Sequence, residues 1–328
     1  MRAVMLREHG SPTGLQVEEL PTPTPGPGEV LIDVEACGVN FPDLLVVQGK
    51  YQTLPELPFS PGKEVAGRIS AVGPDVDTLT VGTRVMAQVE YGGFREQVVA
   101  PAANCCPIPD ELRGPEAAGF GLVFVTAYLG LVRRARLQPG ETVLVTGAGG
   151  GIGSAGVQLA KALGAGLVLA VAETDAQREL ALSQGADHVF DADPALLRDR
   201  VMEVTGGHGA DVVLEAVGGD IFASCMRSIA WEGRIVVIGF AAGEIPKIHA
   251  GHVLVKNMAV LGLQSSDYRD RDPAELRRTQ DALLALYVDG AIRVDISATY
   301  PLEAAGEALL AFERGQVRGK LVLTTGRA

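Results

Sequence analysis

Residues 145–156 read VTGAGGGIGSAG, six glycines in twelve positions, and what flanks them decides the fold. ETVLVTG on the N-terminal side is a short apolar run of strand type. On the C-terminal side, SAGVQLAKALGA sets Val157, Ala160 and Leu163 on one helical face. Strand, glycines and helix in that order are the setting in which backbone cradles a nucleotide phosphate. A literal GxGxxG at Gly151, Gly153 and Gly156 lies inside the helix, too far from the strand, and is rejected. The working register is Ala148, Gly150 and Gly153, with Gly149 and Gly151 between. A turn with negative φ tolerates the alanine, Gly150 lets backbone approach a pyrophosphate, and Gly153 lets helix meet strand. The helix N-terminus adds free N–H donors and partial positive charge. A glycine-rich turn with no ligand is the alternative reading.

Outward from this loop, strand and helix alternate from residue 126 onward. Strands are predicted at ETVLVTG, GLVLAVAE, DHVFD, ADVVLEAVG, GRIVVIG and AVLGLQS, with helical spacing between them. That pattern is an α/β doubly wound parallel sheet of the Rossmann type. The first 125 residues read as β-rich, with runs such as EVLIDVEACGV and EVAGRISAVG and no long helical period. Beyond Ser266, two amphipathic helices and a last strand, GKLVLTT, form a tail expected to pack back on the first domain. The predicted domains are therefore 1–125, 126–265 and 266–328.

The 328 residues are 47% apolar and 21% charged, an ordinary globular mixture, and length favours two domains. A net charge of −12 argues against nucleic acid and anionic membrane surfaces as partners. The opening MRAVMLREHGSPTG has no signal-peptide apolar run, and GFGLVFVTAYLGLV falls short of a membrane span of about 18 residues. Cys37, Cys105, Cys106 and Cys225 follow no ligand spacing and read as reduced thiols. A cytoplasmic protein is predicted.

At the second strand's end, AVAETDAQR offers Glu173 for a ribose 2′-hydroxyl, and Thr174 with Arg178 for a 2′-phosphate. The first domain holds one histidine, His9, so no zinc site is expected there. His249 and His252 lack a third ligand, and His188 and His208 stand alone.

The segments GVNFPDLLVVQGKY, LPFSPGKEVAG, LVRRARLQPGETVLVTGAGGGIGSAGVQLAKALGA, QGADHVFD, VGGDIF, GRIVVIGFAAGEIP and GKLVL occur in this order. In that order they resemble the quinone oxidoreductase, or zeta-crystallin-like, branch of the medium-chain dehydrogenase/reductases, over Met1 to Leu323. The resemblance implies a chaperonin-10-like (GroES-like) β-barrel domain beside the Rossmann domain. Where zinc alcohol dehydrogenases of that superfamily carry a cysteine and a histidine ligand, this chain has Asn40 and Lys63. By the family pattern Asn40 and Thr126 would face the nicotinamide ribose and carboxamide, with Gly239 and Phe240 lining the same end. Gly150, Gly151 and Ile152 would meet the pyrophosphate, flanked by Gly149 and Gly153, and Gly319 with Lys320 would close over the cofactor. Phe41, Tyr51 and Lys63 would border the substrate. Relatives that use NADPH often carry a serine and a lysine where this chain has Glu173 and Gln177. The expectation is NADPH, with NADH open.

The implied reaction is zinc-independent hydride transfer from the nicotinamide to a quinone or other conjugated carbonyl. Reduction of an enone or enoyl thioester is the alternative, with Tyr51 or Lys63 as its proton source. A catalytically silent nucleotide-binding protein is a third reading. The sheet edge near NMAVLGL and the family habit imply a homodimer.

Overall fold

A computed structural model describes residues 1–326. The chain forms two compact units. The first comprises Met1–Leu122, Pro273–Gln280 and Val294 onward; the second comprises Val123–Asp272 and Asp281–Arg293. The chain passes between them four times, twice inside a helix: within Gly114–Tyr128 and within Pro273–Val288.

The second unit is built on a six-stranded parallel sheet. Its strands lie in the order His188–Asp191, Leu167–Ala172, Thr142–Val145, Ala210–Glu215, Ile229–Val237 and Ala259–Gly262. These are the six predicted strands. Val143 to Val145, Val168 to Ala172 and Val212 to Leu214 are buried, the continuous apolar pattern of strands covered on both faces. Leu144, Leu169, Phe190, Phe222 and Ile235 share one core. The strand order reverses between Thr142–Val145 and Ala210–Glu215, and ligands of such sheets bind at that reversal, beyond the carboxyl ends.

The first unit carries a seven-stranded, largely antiparallel sheet. The long strand Glu29–Val39 is its organiser, pairing with Glu64–Val72, Gln97–Pro101 and Lys320–Thr324. Leu6, Ile32, Ile69 and Phe94 are fully buried in its core. Register matters here: Gly38 lies opposite Glu64, and Val39 opposite Leu321. The last turn of the long strand is thereby flanked by Glu64 on one side and Lys320 on the other.

Helices interrupt the region that reads as β-rich. Phe41–Val47 is one, and Gly114–Tyr128, continued by a wider-wound turn Leu129–Arg134, is the other. The second is apolar all round and buried, so it carries no amphipathic period to read. Its 21 residues are long and apolar enough by composition to cross a membrane, which corrects the shorter span read from GFGLVFVTAYLGLV. Of its most apolar window, 72% is buried inside the protein, as in a core helix.

Candidate functional site

In the second unit the glycine loop links the strand Thr142–Val145 to the helix Gly151–Ala162. All three glycines of the rejected GxGxxG register lie in that helix. Ala148 has no left-handed backbone; the positive φ of the turn falls one residue earlier, on Gly147 at +62°. A β-carbon on Gly153 would stand 2.2 Å from the Gly147 carbonyl oxygen, so only glycine lets helix and loop meet. At Gly150 the nearest atom to an added β-carbon is 3.5 Å away, leaving that face of the loop open. Gly150 is the helix N-cap and has no side chain to satisfy the N–H groups of Gly151, Ile152 and Gly153. Open space, free donors and the dipole of a twelve-residue helix fit the pyrophosphate of a dinucleotide.

The other strand ends on the same edge of the sheet complete this region. Gly239 and Phe240 follow the strand Ile229–Val237, and the Phe240 ring lies 3.3 Å from where a β-carbon on Gly218 would sit. Thr126 donates its hydroxyl hydrogen to Ser265 Oγ at 2.8 Å. Glu215, unremarked in the sequence, is fully buried at the end of its strand. Its Oε1 accepts from Val217 and Gly218 N–H at 2.9 Å and from Thr146 Oγ1 at 3.2 Å, tying two loops together. Burial pushes this carboxyl above its ordinary pKa, and its Oε2 has no partner.

In the first unit Asn40 is 4% exposed and its amide is held from every side. Its Oδ1 accepts from Lys320 Nζ at 2.7 Å, and its Nδ2 donates to Glu64 Oε1 at 3.0 Å and the Gly38 carbonyl at 3.3 Å. Both N–H groups are spent, so Asn40 has only a lone pair on Oδ1 to offer a ligand, suited to a hydroxyl donor. Lys320 Nζ also reaches Glu64 Oε1 at 2.8 Å and the Val39 carbonyl at 3.3 Å, using all three donors within this unit. Glu64 Oε2 accepts the Leu122 N–H at 2.8 Å. Gly319 makes the turn into this strand: its φ is +71°, and a β-carbon there would stand 2.3 Å from the Asp295 carbonyl oxygen.

Asp43 belongs to the same group. Its Oδ2 accepts the Asn40 backbone N–H at 2.8 Å, fixing the start of the helix Phe41–Val47. Burial pushes the Asp43 carboxyl up to about 6, against the opposing pull of Lys63, the Asn40 N–H and Lys320. Glu64 and Asp43 were not singled out in the sequence. The one visible signal was Asp43 three residues after Asn40, the spacing at which a carboxylate reaches back to a helix start.

Lys63 is 8% exposed, donates to the Glu90 carbonyl at 3.0 Å and to Glu90 Oε1 at 2.9 Å, and lies 4.7 Å from the Tyr51 ring centre. Such a cation over an aromatic face is attracted by the ring quadrupole. Phe41 packs against Phe312, with ring centres 6.3 Å apart. An ammonium at Lys63 has no lone pair for a metal, and the Asn40 amide is already committed, so these residues do not suit a catalytic zinc. Among the described residues no group of three or more His, Cys, Asp or Glu is arranged for a metal ion. The rings of His249 and His252 stand 5.9 Å apart.

Known proteins share this architecture. Residues 26–110 match the family described as alcohol dehydrogenase GroES-like domain, and residues 151–280 the one described as zinc-binding dehydrogenase. A quinone oxidoreductase-like protein 2 homolog of Nematostella vectensis is 39% identical over 99% of this chain and 89% of its own length. The quinone oxidoreductase of Homo sapiens is 31% identical over 98% of this chain and 97% of its own. The crystal structure of Escherichia coli quinone oxidoreductase complexed with NADPH superposes with a TM-score of 0.91 at 29% identity, covering 99% of this chain and 100% of that one. With relatives this similar over nearly its whole length, the chain belongs to the quinone oxidoreductase-like family of medium-chain dehydrogenase/reductases.

Proposed function

We propose that this chain is an oxidoreductase that passes a hydride from a reduced nicotinamide dinucleotide to a quinone or closely related conjugated carbonyl, without zinc. The glycine loop carries the reading: Gly150 open, Gly153 shut against Gly147, and unsatisfied N–H groups at the helix start. The relatives' names and the NADPH held by the Escherichia coli protein support the same class of chemistry.

When bound, the dinucleotide supplies the hydride; the protein supplies position and field. The loop N–H groups hold the pyrophosphate. Asn40, rigid in its buried network, presents its one open lone pair to a ribose hydroxyl. The Lys63 ammonium, paired with Glu90 and held over the Tyr51 ring, would stand by an acceptor oxygen as it gains charge. A quinone that accepts hydride becomes an aromatic hydroquinone anion, so stabilising that charge suffices. The same pair also favours the enone or enoyl-thioester reading, because Tyr51 carries an exchangeable proton. Enone reduction that survives in Tyr51→Phe would remove Tyr51 as the donor.

The test is oxidation of reduced cofactor, followed by absorbance with a polycyclic ortho-quinone and separately with an enone. Quinone-dependent loss supports the proposal, and loss with the enone alone moves the activity to double-bond reduction. Tight binding with no oxidation by either leaves a silent nucleotide-binding protein.

A homodimer is part of the proposal. The strand Ala259–Gly262 ends the sheet, and Ile245, Leu254 and Val255 are 71%, 77% and 72% exposed nearby in sequence. A bare strand edge with apolar neighbours invites a second copy. Light scattering at micromolar concentration should give twice the chain mass of 34.2 kDa. A reducing, cytoplasmic setting belongs to the same reading, with Cys37, Cys105, Cys106 and Cys225 all buried.

A further inference from the structure

In sheets of this kind the residue at the tip of the second strand, here Leu167–Ala172, faces the adenosine ribose of a dinucleotide, and the charges there are already arranged. Thr174 caps the helix Asp175–Ser183, with Oγ1 accepting the Gln177 N–H at 3.3 Å. Gln177 Oε1 in turn accepts the N–H groups of Glu173 at 3.1 Å and Thr174 at 3.3 Å. The Gln177 stem fills the space a side chain at Gly149 would need, 2.2 Å from its β-carbon position. Thr174 and Gln177 are thus engaged with the helix start and the glycine loop.

Arg178, the only base in this stretch, is occupied too. It donates to the Glu173 carbonyl at 3.1 Å, contacts Asp191 Oδ1 at 2.8 Å and pairs with Asp175. Asp191 also pairs with Arg200 at 3.2 Å. Glu173, Asp175 and Asp191 therefore outnumber Arg178 and Arg200, three carboxylates to two guanidiniums. A phosphomonoester carries nearly two negative charges at neutral pH and would meet a surplus of negative charge here. Glu173 is exposed at the strand end with an acceptor-only carboxylate, which suits a hydroxyl donor.

We infer that Glu173 reads the 2′-hydroxyl of the adenosine ribose and that this chain takes NADH in preference to NADPH. The inference rests on the dinucleotide reading above and adds the choice between its two forms. Thr174 and Arg178, read from the sequence as a 2′-phosphate site, serve as a helix cap and a charge clamp.

Equilibrium titration of the apoprotein with each reduced cofactor, by calorimetry and without any acceptor, tests it. NADH should bind about tenfold tighter or more, the effect of one repulsive charge contact near a protein surface. In Glu173→Ser, with folding checked by circular dichroism, that ratio should shrink to within about threefold or invert. Tighter NADPH binding by the native chain, or equal affinities, overturns the preference. An unchanged ratio in Glu173→Ser overturns the assignment to Glu173. Binding of neither cofactor overturns the dinucleotide reading itself, a result distinct from a wrong choice between the two.

Discussion

The two units prepare their functional residues in opposite ways. In the first, Asn40, Asp43, Glu64 and Lys320 are all under 5% exposed and hold one another through side chains. In the second, the loop from Gly147 to Gly153 is shaped by backbone and missing side chains, and Glu173, to which we assign the choice of cofactor, stands in solvent. A buried polar network is rigid only while every member is satisfied, so losing one partner is costly. A backbone cradle fails through steric intrusion instead. The comparison predicts that charge removal damages the first unit most and that added methyl groups damage the second.

The largest effect is expected at Lys320. Lys320→Met leaves the Glu64 carboxylate buried without its cation and should lose about 3–5 kcal/mol in urea unfolding. Adding Glu64→Leu to that variant should recover only part of the loss: the unpaired charge is removed, but Asn40 Nδ2 and the Leu122 N–H lose their acceptor. A single-variant loss under about 1 kcal/mol would mean that the network is wetter than described.

Next comes Asp43. Its folded pKa of about 6 lies above its ordinary 3.8, so the folded protein holds the proton more tightly than the unfolded chain. Stability from this group is complete below pH 3.8 and is lost as pH rises through about 6. Asp43→Asn should therefore match the native chain near pH 4 and exceed it by about 2–3 kcal/mol above pH 7. A native chain that gains on the variant as pH rises would reverse the sign and break the account.

The glycine loop should separate fold from binding. Gly153→Ala forces a methyl against the Gly147 carbonyl and should cost about 1–3 kcal/mol of stability together with cofactor affinity. Gly150→Ala finds room, so its melting temperature should stay close to native while cofactor affinity falls. Equal losses of stability in both would contradict the distinction. The smallest effect belongs to the exposed pair Lys161–Asp187: Lys161→Met should cost less than about 1 kcal/mol.

What the sequence reveals follows the same division. The nucleotide-binding unit is legible because its parts are local: six apolar runs became the six strands, and the loop lies within twelve consecutive residues. At the first position of the register Ala148 stays out of the left-handed region, as an alanine there requires, and the left-handed residue of the turn is Gly147. The buried network was not legible as a network. Asn40 and Lys320 are 280 positions apart and meet only because a terminal strand pairs with the end of Glu29–Val39. The family resemblance points to Asn40 and Lys320 one at a time, and to neither Glu64 nor Asp43. The helix Gly114–Tyr128 escaped for another reason: periodicity reports a boundary between core and water, and this helix has little water-facing side.

Hydride transfer itself is tested most directly by a single turnover with cofactor deuterated at the transferring C4 position, mixed with a polycyclic ortho-quinone. Oxidation of one cofactor per quinone, slower with deuterium than with hydrogen, is the expected result. Stoichiometric binding of the cofactor with no oxidation, by quinone or enone, would contradict it.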